Sequence, residues 1–269
     1  MNNNLIIASA SLDIKWGNPE ANLGRVEKLM TTLPSSVDVV VLPELFSTGF
    51  ISDIDALNVL AKQGNDTIDR LTQLSRRWQR AIAGSVLLEK GGKYYNRGFF
   101  IEPSGECQIY DKAHLFSLSK EAELLEGGTT PPAVVRFRGW NISLIVCYDL
   151  RFPVWCRNLG EKYDVMLVPA NWPQSRSYAW EHLLIGRAIE NQAYYVGTNR
   201  SGVDDFGDYD AMNIIVDGLG KPIARSENGI KGEHCIIATL DYTHLVNSRK
   251  KLPFQADADE FLLSNQKFH

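Results

Sequence analysis

The sequence has few cysteines and histidines, and their scarcity argues against several classes of protein. Four cysteines in 269 residues are too few for a disulfide framework, and none of them forms a Cys-x-x-Cys pair. The five histidines show neither the His-Glu-x-x-His spacing nor any other spacing typical of metal ligands. We therefore expect no metal site and no cofactor, and we expect a protein of the reducing cytoplasm.

A strong net charge and long apolar segments are also missing. A formal net charge of −4 gives no electrostatic reason to expect nucleic acid or an anionic membrane as a partner. The apolar runs are only as long as strands, so no segment is predicted to span a bilayer. Residues 1–4 lack a basic segment, and the apolar run 5–10 is too short for the core of a signal peptide.

The remaining composition is typical of a globular protein with one large core. Hydrophobic residues make up 44% of the chain and charged residues 22%. A chain of this length can form a single domain, and no repeat or linker divides it. We expect one domain over residues 1–250 and a C-terminal tail, 251–269, that packs on the domain or on a partner subunit.

Hydrophobic periodicity predicts strands and helices that alternate early, with hairpins in the middle and near the end. Asn18-Pro19 is a helix start signal, Asp66 is predicted to cap a second helix, and Gly91-Gly92 predicts a hairpin turn. Residues 111–132 have little periodicity and are predicted to form a long loop. The predicted helices are 19–33, one that starts at Asp66, and 176–191; the main strands are 5–12, 37–42, 81–88, 94–101, 107–110, 142–146, 165–168, 193–198, 211–216, 221–225 and 234–240. This mixture indicates mixed α/β sheets covered by helices.

Cys147 directly follows the apolar run 142–146 and opens a turn. The carboxyl end of a strand is where ligands usually bind in α/β folds. A helix that begins just beyond would lower the pKa of the thiol and favour its nucleophilic form. The alternative is a buried structural cysteine, which most free cysteines are.

Two charged residues occupy similar positions at the ends of other predicted strands. Glu44 follows the apolar run 39–43, and Lys112 comes just after the strand 107–110. Each alone would be an ordinary surface charge. Their occurrence together with Cys147 at the ends of three core strands indicates a catalytic cluster.

The segments around these three residues resemble the catalytic blocks of the nitrilase superfamily, the carbon–nitrogen hydrolases with a Glu-Lys-Cys triad. The three blocks are Pro43-Glu44-Leu45-Phe46, Asp111-Lys112-Ala113-His114-Leu115-Phe116 and Cys147-Tyr148-Asp149-Leu150-Arg151-Phe152-Pro153. Further similar segments, in order, are 169–173, 187–192 and 197–200. The resemblance implies a four-layer αββα sandwich and a homodimer. Within the superfamily it is strongest to the omega-amidases, which hydrolyse the side amide of 2-oxoglutaramate or 2-oxosuccinamate.

The resemblance also implies a role for each residue of the cluster. Cys147 would attack the amide carbonyl, Glu44 would act as general base, and Lys112 would stabilise the oxyanion together with the backbone N–H of Tyr148. Superfamily members carry a second glutamate between the lysine and the cysteine. Glu121 fits this position best, and the nearby alternatives are Glu123 and Glu126.

A 2-oxo acid amide carries a carboxylate, which a guanidinium binds with two hydrogen bonds. Arg151 is our first candidate for this contact and Arg176 the second, whereas the alternative for either arginine is a structural salt bridge. Trp172 and Phe46 are expected to form walls of the substrate pocket, and Tyr148 to lie beside the nucleophile.

Three other functions remain open from the sequence. Cys147 could pair with His182 or His114 in a cysteine–histidine hydrolase, or the protein could bind metabolites or partners without catalysis. The third possibility keeps the Glu-Lys-Cys triad and changes the substrate to a nitrile, a carbamoyl-amine or an ordinary aliphatic amide.

Overall fold

The computed structural model describes residues 4–51, 53–227 and 232–261, which contain two six-stranded sheets. In chain order the strands are β1 (Leu5–Ser11), β2 (Val39–Val41), β3 (Ala81–Lys90), β4 (Lys93–Ile101), β5 (Cys107–Asp111), β6 (Val134–Phe137), β7 (Trp140–Leu144), β8 (Val165–Ala170), β9 (Tyr194–Asn199), β10 (Ser201–Asp204), β11 (Gly207–Asp210), β12 (Ile214–Val216), β13 (Pro222–Arg225) and β14 (His234–Leu240). The first sheet has the order β14-β1-β2-β3-β4-β5, and the second has the order β13-β12-β9-β8-β7-β6. Strands β10 and β11 form a separate hairpin.

Helices cover the outer faces of the two sheets. The helices are α1 (Pro19–Thr32), α2 (Ile54–Lys62), α3 (Gly64–Trp78), α4 (Glu121–Leu124), α5 (Ser177–Asn191) and α6 (Tyr242–Lys251). Helices α1 and α3 pack on the first sheet, and α5 packs on the second. The fold is therefore the four-layer αββα sandwich that the family resemblance implied. Within the described ranges, no helix combines the length and the apolarity needed to cross a membrane.

The buried strands of the first sheet contribute side chains to two hydrophobic cores, one on each face of the sheet. Val39 and Val41 of β2 face the core between the sheets, while Val40 faces the core under α1 and α3. This alternation follows from the two-residue period of a strand, and burial on both faces explains why the run is continuously apolar.

Polar contacts tie the two sheets together between β1 and β9. The hydroxyl oxygens of Ser9 and Thr198 lie 2.6 Å apart, and the Ser11 hydroxyl donates to the Asn199 carbonyl at 2.7 Å. The sheets also approach closely at Gly98 of β4, where a Cβ atom would lie 2.4 Å from Leu144 of β7. The relative position of the two sheets is thus fixed by specific contacts as well as by apolar packing.

Most predicted elements form, and the differences have local causes. The helix behind Asn18-Pro19 and the hairpin at Gly91-Gly92 are confirmed. Asp66 does not cap α3, because the chain is already helical at Gln63, where α2 ends and α3 begins. Helix α2 itself was not predicted; the Asp53 side chain caps it. The loop 111–132 contains α4, and β7 ends earlier than the predicted strand 142–146.

The end of the described chain contacts helix α5 and the residue after it. The Gln192 side chain donates to the Leu252 carbonyl at 2.7 Å, and the Gln255 side chain donates to the Glu190 carbonyl at 2.9 Å. The predicted tail 251–269 therefore packs on the domain in this part, while residues 262–269 lie outside the described residues.

The fold gathers the carboxyl ends of several strands at one edge of the sandwich. Strands β1, β2 and β3 run parallel, as do β7, β8 and β9. Glu44 lies just beyond β2, Lys112 directly follows β5, Cys147 lies just beyond β7, and Asn171 directly follows β8. Ligands bind at such edges in α/β proteins, so the topology alone brings candidate site residues together.

The packing around two glycines predicts opposite effects for their substitution. A Cβ atom at Gly197 of β9 would lie 2.3 Å from Leu184 and 2.8 Å from Trp180 of α5, so Gly197→Ala should lower the free energy of unfolding by about 1–3 kcal/mol. A Cβ atom at Gly24 of α1 would meet no described atom within 4 Å, so Gly24→Ala should raise it by about 0.5–1 kcal/mol. Urea unfolding measures both; equal stabilities would contradict the packing described here.

Candidate active site

A buried lysine lies between two buried carboxylates at this edge. The Lys112 Nζ atom is 2.8 Å from Glu44 Oε1 and 2.9 Å from both carboxylate oxygens of Glu121. All three side chains are at most 1% exposed. Charges buried this completely are tolerated only when they are paired and hydrogen-bonded, so the cluster is held by close geometry.

Further hydrogen bonds fix both carboxylates. The Asn96 side chain donates to Glu44 at 2.8 Å and to Glu121 at 3.2 Å. The backbone N–H of Asn171 donates to the second oxygen of Glu44 at 2.8 Å, and that of Phe116 to Glu121 at 2.7 Å. The sequence analysis did not identify Asn96, because β4 also contains Lys93 and Arg97 and a further polar residue gives no distinct signal.

Cys147 lies in a strained turn directly beside this cluster. Its φ of 46° is in the left-handed region, which residues other than glycine rarely adopt and which costs about 1–3 kcal/mol. Such strain is typical of functional sites. A single 3₁₀ turn, Cys147–Arg151, follows the strand in place of a full helix.

The thiol of Cys147 is protonated at neutral pH. Burial raises its pKa well above the usual range, and the Glu44 carboxylate, which accepts a hydrogen bond from the thiol, raises it further. Lys112 and the backbone N–H of Asn171 act in the opposite direction but do not reverse the shift. The expectation of a lowered thiol pKa is therefore wrong, because burial outweighs the effect of the short turn.

The ammonium of Lys112 keeps its charge despite its burial. Burial alone would lower its pKa, but the carboxylates of Glu121 and Glu44 raise it well above the usual range. The pKa of Glu121 is raised, chiefly by burial and against the opposing effect of Lys112. The cluster thus presents a permanent cation and a base next to a neutral thiol.

Asp149 joins the turn of Cys147 to the loop of Lys112. Its carboxylate accepts hydrogen bonds from the Val146 N–H at 3.1 Å and from the His114 N–H at 2.9 Å. The His114 ring also bonds to Asp149, at 2.8 Å, and His182 is bound to the Tyr178 carbonyl. Both histidines considered as bases for Cys147 are therefore engaged elsewhere.

A cavity of about 240 Å³ opens onto Cys147 and Lys112. Its walls include Tyr148, Arg151, Trp172 and Arg176, all expected near the substrate from the sequence. Aromatic residues that the sequence did not indicate also line it: Phe50, Phe116, Phe206 and Tyr209. The last two lie on or beside the β10–β11 hairpin, far from the three catalytic blocks in the chain, so no local pattern could have found them.

The two arginines of the cavity stack on aromatic rings. The Arg151 guanidinium carbon lies 4.8 Å from the centre of the Trp172 ring, and that of Arg176 lies 4.9 Å from the centre of the Phe116 ring. Within the described part of the chain, neither guanidinium forms an ion pair. The structural salt bridge considered for them is therefore not formed there, and both remain able to bind an anion.

The predictions made for Glu121 and Phe46 have different outcomes. Glu121 is the glutamate that contacts Lys112, whereas Glu123 is exposed and Glu126 pairs with Lys93. Phe46 was expected to form a pocket wall, and this is wrong. Its ring is fully buried 6.3 Å from that of Phe99 in the core under α1 and α3, because the turn after Glu44 returns the chain to that core.

Asn171 has an unusual environment at the end of β8. The residue lines the cavity and is 7% exposed, yet its side-chain oxygen and nitrogen are both buried with no hydrogen-bond partner among the described residues. An unpaired buried polar group typically costs about 1–3 kcal/mol. A side chain retained at such a cost calls for an explanation.

A thiol beside a buried carboxylate and a buried ammonium, at the wall of a cavity, is an arrangement suited to nucleophilic catalysis. Comparison with known proteins agrees: the model of the carbon–nitrogen hydrolase family matches residues 6–250. The chain belongs to the carbon–nitrogen hydrolase family.

Relatives and a solved structure show how far the similarity extends. The chain is 41% identical to the omega-amidase YafV of Yersinia enterocolitica, over 92% of this chain and 94% of the relative. It is 31% identical to the 2-oxoglutaramate amidase of Bacillus subtilis, over 92% and 95%. A CN-hydrolase superfamily protein from Xanthomonas campestris, whose crystal structure has an arsenic adduct in the active site, superimposes with a TM-score of 0.91 at 33% identity, over 97% and 99% of the two chains.

The buried cluster predicts that loss of the ammonium destabilises the fold in a pH-dependent way. Lys112→Met leaves two carboxylates buried without a cation, which should cost about 3–5 kcal/mol at about pH 8. Burial without a cation favours a neutral carboxyl group, so the folded variant binds protons more tightly than its unfolded chain does. The loss should consequently be smaller at about pH 5.

Urea unfolding of the wild type and Lys112→Met at both pH values measures this difference. The exposed Lys28→Met is the matched control and should change stability little at either pH. An equal loss at both pH values for Lys112→Met would contradict the described charge state.

Proposed function

We propose that this protein is an omega-amidase. It hydrolyses the terminal amide of 2-oxo dicarboxylic acid monoamides, such as 2-oxoglutaramate and 2-oxosuccinamate, to the 2-oxo acid and ammonia. The observation that carries the proposal is a thiol beside a buried base and cation, in a cavity whose walls also present two guanidiniums stacked on aromatic rings. The 41% and 31% identities to an omega-amidase and to a 2-oxoglutaramate amidase support it.

The first half of the reaction forms a thioester. Because the Cys147 thiol is protonated at rest, Glu44 takes its proton as sulfur attacks the amide carbon. The carbonyl oxygen becomes an oxyanion, which Lys112 and the backbone N–H of Tyr148 stabilise. Glu44 returns the proton to the amide nitrogen, the carbon–nitrogen bond breaks, and ammonia leaves.

The second half releases the product. Glu44 takes a proton from a water molecule, which attacks the thioester carbon and forms the acid as the carbon–sulfur bond breaks. The proton returns to the Cys147 sulfur, so the enzyme is regenerated. Glu121 touches the Lys112 ammonium through both carboxylate oxygens and acts by orienting it in both halves.

The carboxylate of the substrate is bound away from the reacting amide. Arg151 is assigned to it because its guanidinium lines the cavity, is held on the Trp172 ring and has two N–H groups to offer a carboxylate. Arg176, on the Phe116 ring, is the second cation of the same cavity. Trp172 and Tyr148 limit the width of the pocket between the two ends of the substrate.

The proposal extends to domain organisation, assembly and location. One catalytic domain over residues 1–250, with a tail packed on it, is supported by the family match to residues 6–250. A homodimer is supported by exposed apolar side chains on α5, including Tyr178 (76% exposed) and Ile189 (50% exposed). A cytoplasmic location is supported by four free cysteines, none of them in a disulfide among the described residues.

Removal of the Arg151 side chain should impair hydrolysis of a substrate that carries a carboxylate more than hydrolysis of one that does not. Ammonia release from 2-oxoglutaramate is measured for the wild type, Cys147→Ala, Arg151→Ala and the exposed control Arg77→Ala, with propionamide as a second substrate. Cys147→Ala should be inactive on both. Arg151→Ala should lose about 10- to 100-fold in kcat/KM on 2-oxoglutaramate, because a charged hydrogen-bonding partner is lost, and little on propionamide.

The control Arg77→Ala should behave as the wild type on both substrates. A wild type that ignores 2-oxoglutaramate but hydrolyses propionamide, a nitrile or a carbamoyl-amine would refute the substrate and retain the catalytic cluster.

The identity of the base is tested by two further variants. Glu44→Gln removes the proton acceptor and should lower kcat by about 10²–10⁴-fold. His182→Ala removes an exposed ring bound to the Tyr178 carbonyl and should leave kcat unchanged. The reverse result, with Glu44→Gln active and His182→Ala inactive, would instead support a cysteine–histidine hydrolase.

A further inference from the structure

Asn171 differs from its polar neighbours near Cys147, because its side chain forms no hydrogen bond with the described residues. Asn96 bonds to both carboxylates, and Lys112 bonds to Glu44 and Glu121. Asn171 lines the cavity and is only 7% exposed, and its side-chain oxygen and nitrogen are buried without a hydrogen-bond partner within the described ranges. It offers an acceptor and a donor in a single plane.

The position of Asn171 places this donor and acceptor at the reacting end of the substrate. Its own backbone N–H donates to Glu44 Oε2 at 2.8 Å and also faces the Cys147 thiol. The next residue, Trp172, carries the Arg151 guanidinium on its ring. Asn171 is therefore next to the proposed base, Glu44, and the proposed nucleophile, Cys147. The residue after it, Trp172, holds the guanidinium that is proposed to bind the substrate carboxylate.

We propose that the Asn171 side chain binds the scissile primary amide of the substrate and selects it against an ester. This inference rests on the proposed amidase function. The side-chain oxygen accepts one N–H of the substrate amide, and the side-chain NH₂ donates to the substrate carbonyl oxygen. The second N–H of the substrate faces Glu44, which later protonates that nitrogen. An ester has no N–H, so it can use only half of this contact.

The experiment compares each amide with its ester. The pairs are 2-oxoglutaramate with the corresponding 5-methyl ester, and propionamide with methyl propionate. The variants are Asn171→Leu, which has similar size and no polar atoms, and Asn171→Ala. Both keep the backbone N–H that holds Glu44. Asn58→Leu, at an exposed asparagine of α2, is the matched control.

Asn171→Leu removes the donor to the carbonyl oxygen for both substrates and the acceptor for the amide alone. We expect kcat/KM for the ester to fall by about 10²–10³-fold through the lost donor, and that for the amide to fall by about a further 10-fold through the lost acceptor. The ratio of amide to ester turnover therefore falls, while thermal unfolding and Asn58→Leu stay near the wild type. Asn171→Ala should show the same fall in ratio if the side chain, and not the bulk of leucine, is responsible.

Two results would overturn the inference: an unchanged amide rate, or equal losses on amide and ester, which would show that the side chain does not select the amide. The failure of the proposed substrate is seen separately. If the wild type prefers propionamide, the substrate is wrong and the Asn171 ratio is decided on the propionamide pair. A wild type that hydrolyses neither amide overturns both.

Discussion

The contact on which the rest of this structure depends is the buried ammonium of Lys112 between the carboxylates of Glu44 and Glu121. Each of these charges loses several kcal/mol of hydration on burial, and only close, well-directed partners offset that loss. The three groups come from the end of β2, the end of β5 and the short helix α4. The sandwich must therefore hold three separate chain segments to within hydrogen-bonding distance, which explains the additional bonds from Asn96 and from backbone N–H groups.

Cys147 is held by a second set of contacts. Cys147 occupies a strained backbone conformation, and Asp149 stabilises it by binding the backbone before the turn and the loop that carries Lys112. The same carboxylate therefore fixes the position of the thiol relative to the cation. Tyr110 also donates to Asp149, at 2.7 Å, so a residue of β5 supports the turn from the opposite sheet. Contacts from both sheets therefore hold the turn of Cys147 in place.

Periodicity was sufficient to predict mixed sheets covered by helices, and the family resemblance implied the four layers. Neither indicated most of the aromatic residues that line the pocket. Glu44 and Cys147 each follow an apolar run, so their position near strand ends is a local property that periodicity reveals. Lys112 follows the short strand β5, whose residues are of mixed polarity. Asn96 and the aromatic residues of the β10–β11 hairpin come to the site through strand pairing and long-range packing, which no short segment encodes. The prediction that Phe46 forms a pocket wall was wrong for the same reason. The segment around Phe46 resembles a catalytic block of the family, but the turn after Glu44 sets the direction of its side chain. The raised pKa of the thiol likewise depends on burial by distant segments.

The burial of the Cys147 thiol also affects how readily it reacts with oxidants and other electrophiles. Oxidants and electrophiles attack cysteine mainly as an exposed thiolate. Cys147 is only 8% exposed, at the wall of the cavity, and burial together with the Glu44 carboxylate raises the pKa of its thiol. A compound must therefore enter the cavity of about 240 Å³ to reach the sulfur, and the raised pKa keeps the thiolate fraction low. The same burial thus restricts the access of other compounds to the sulfur and disfavours the thiolate.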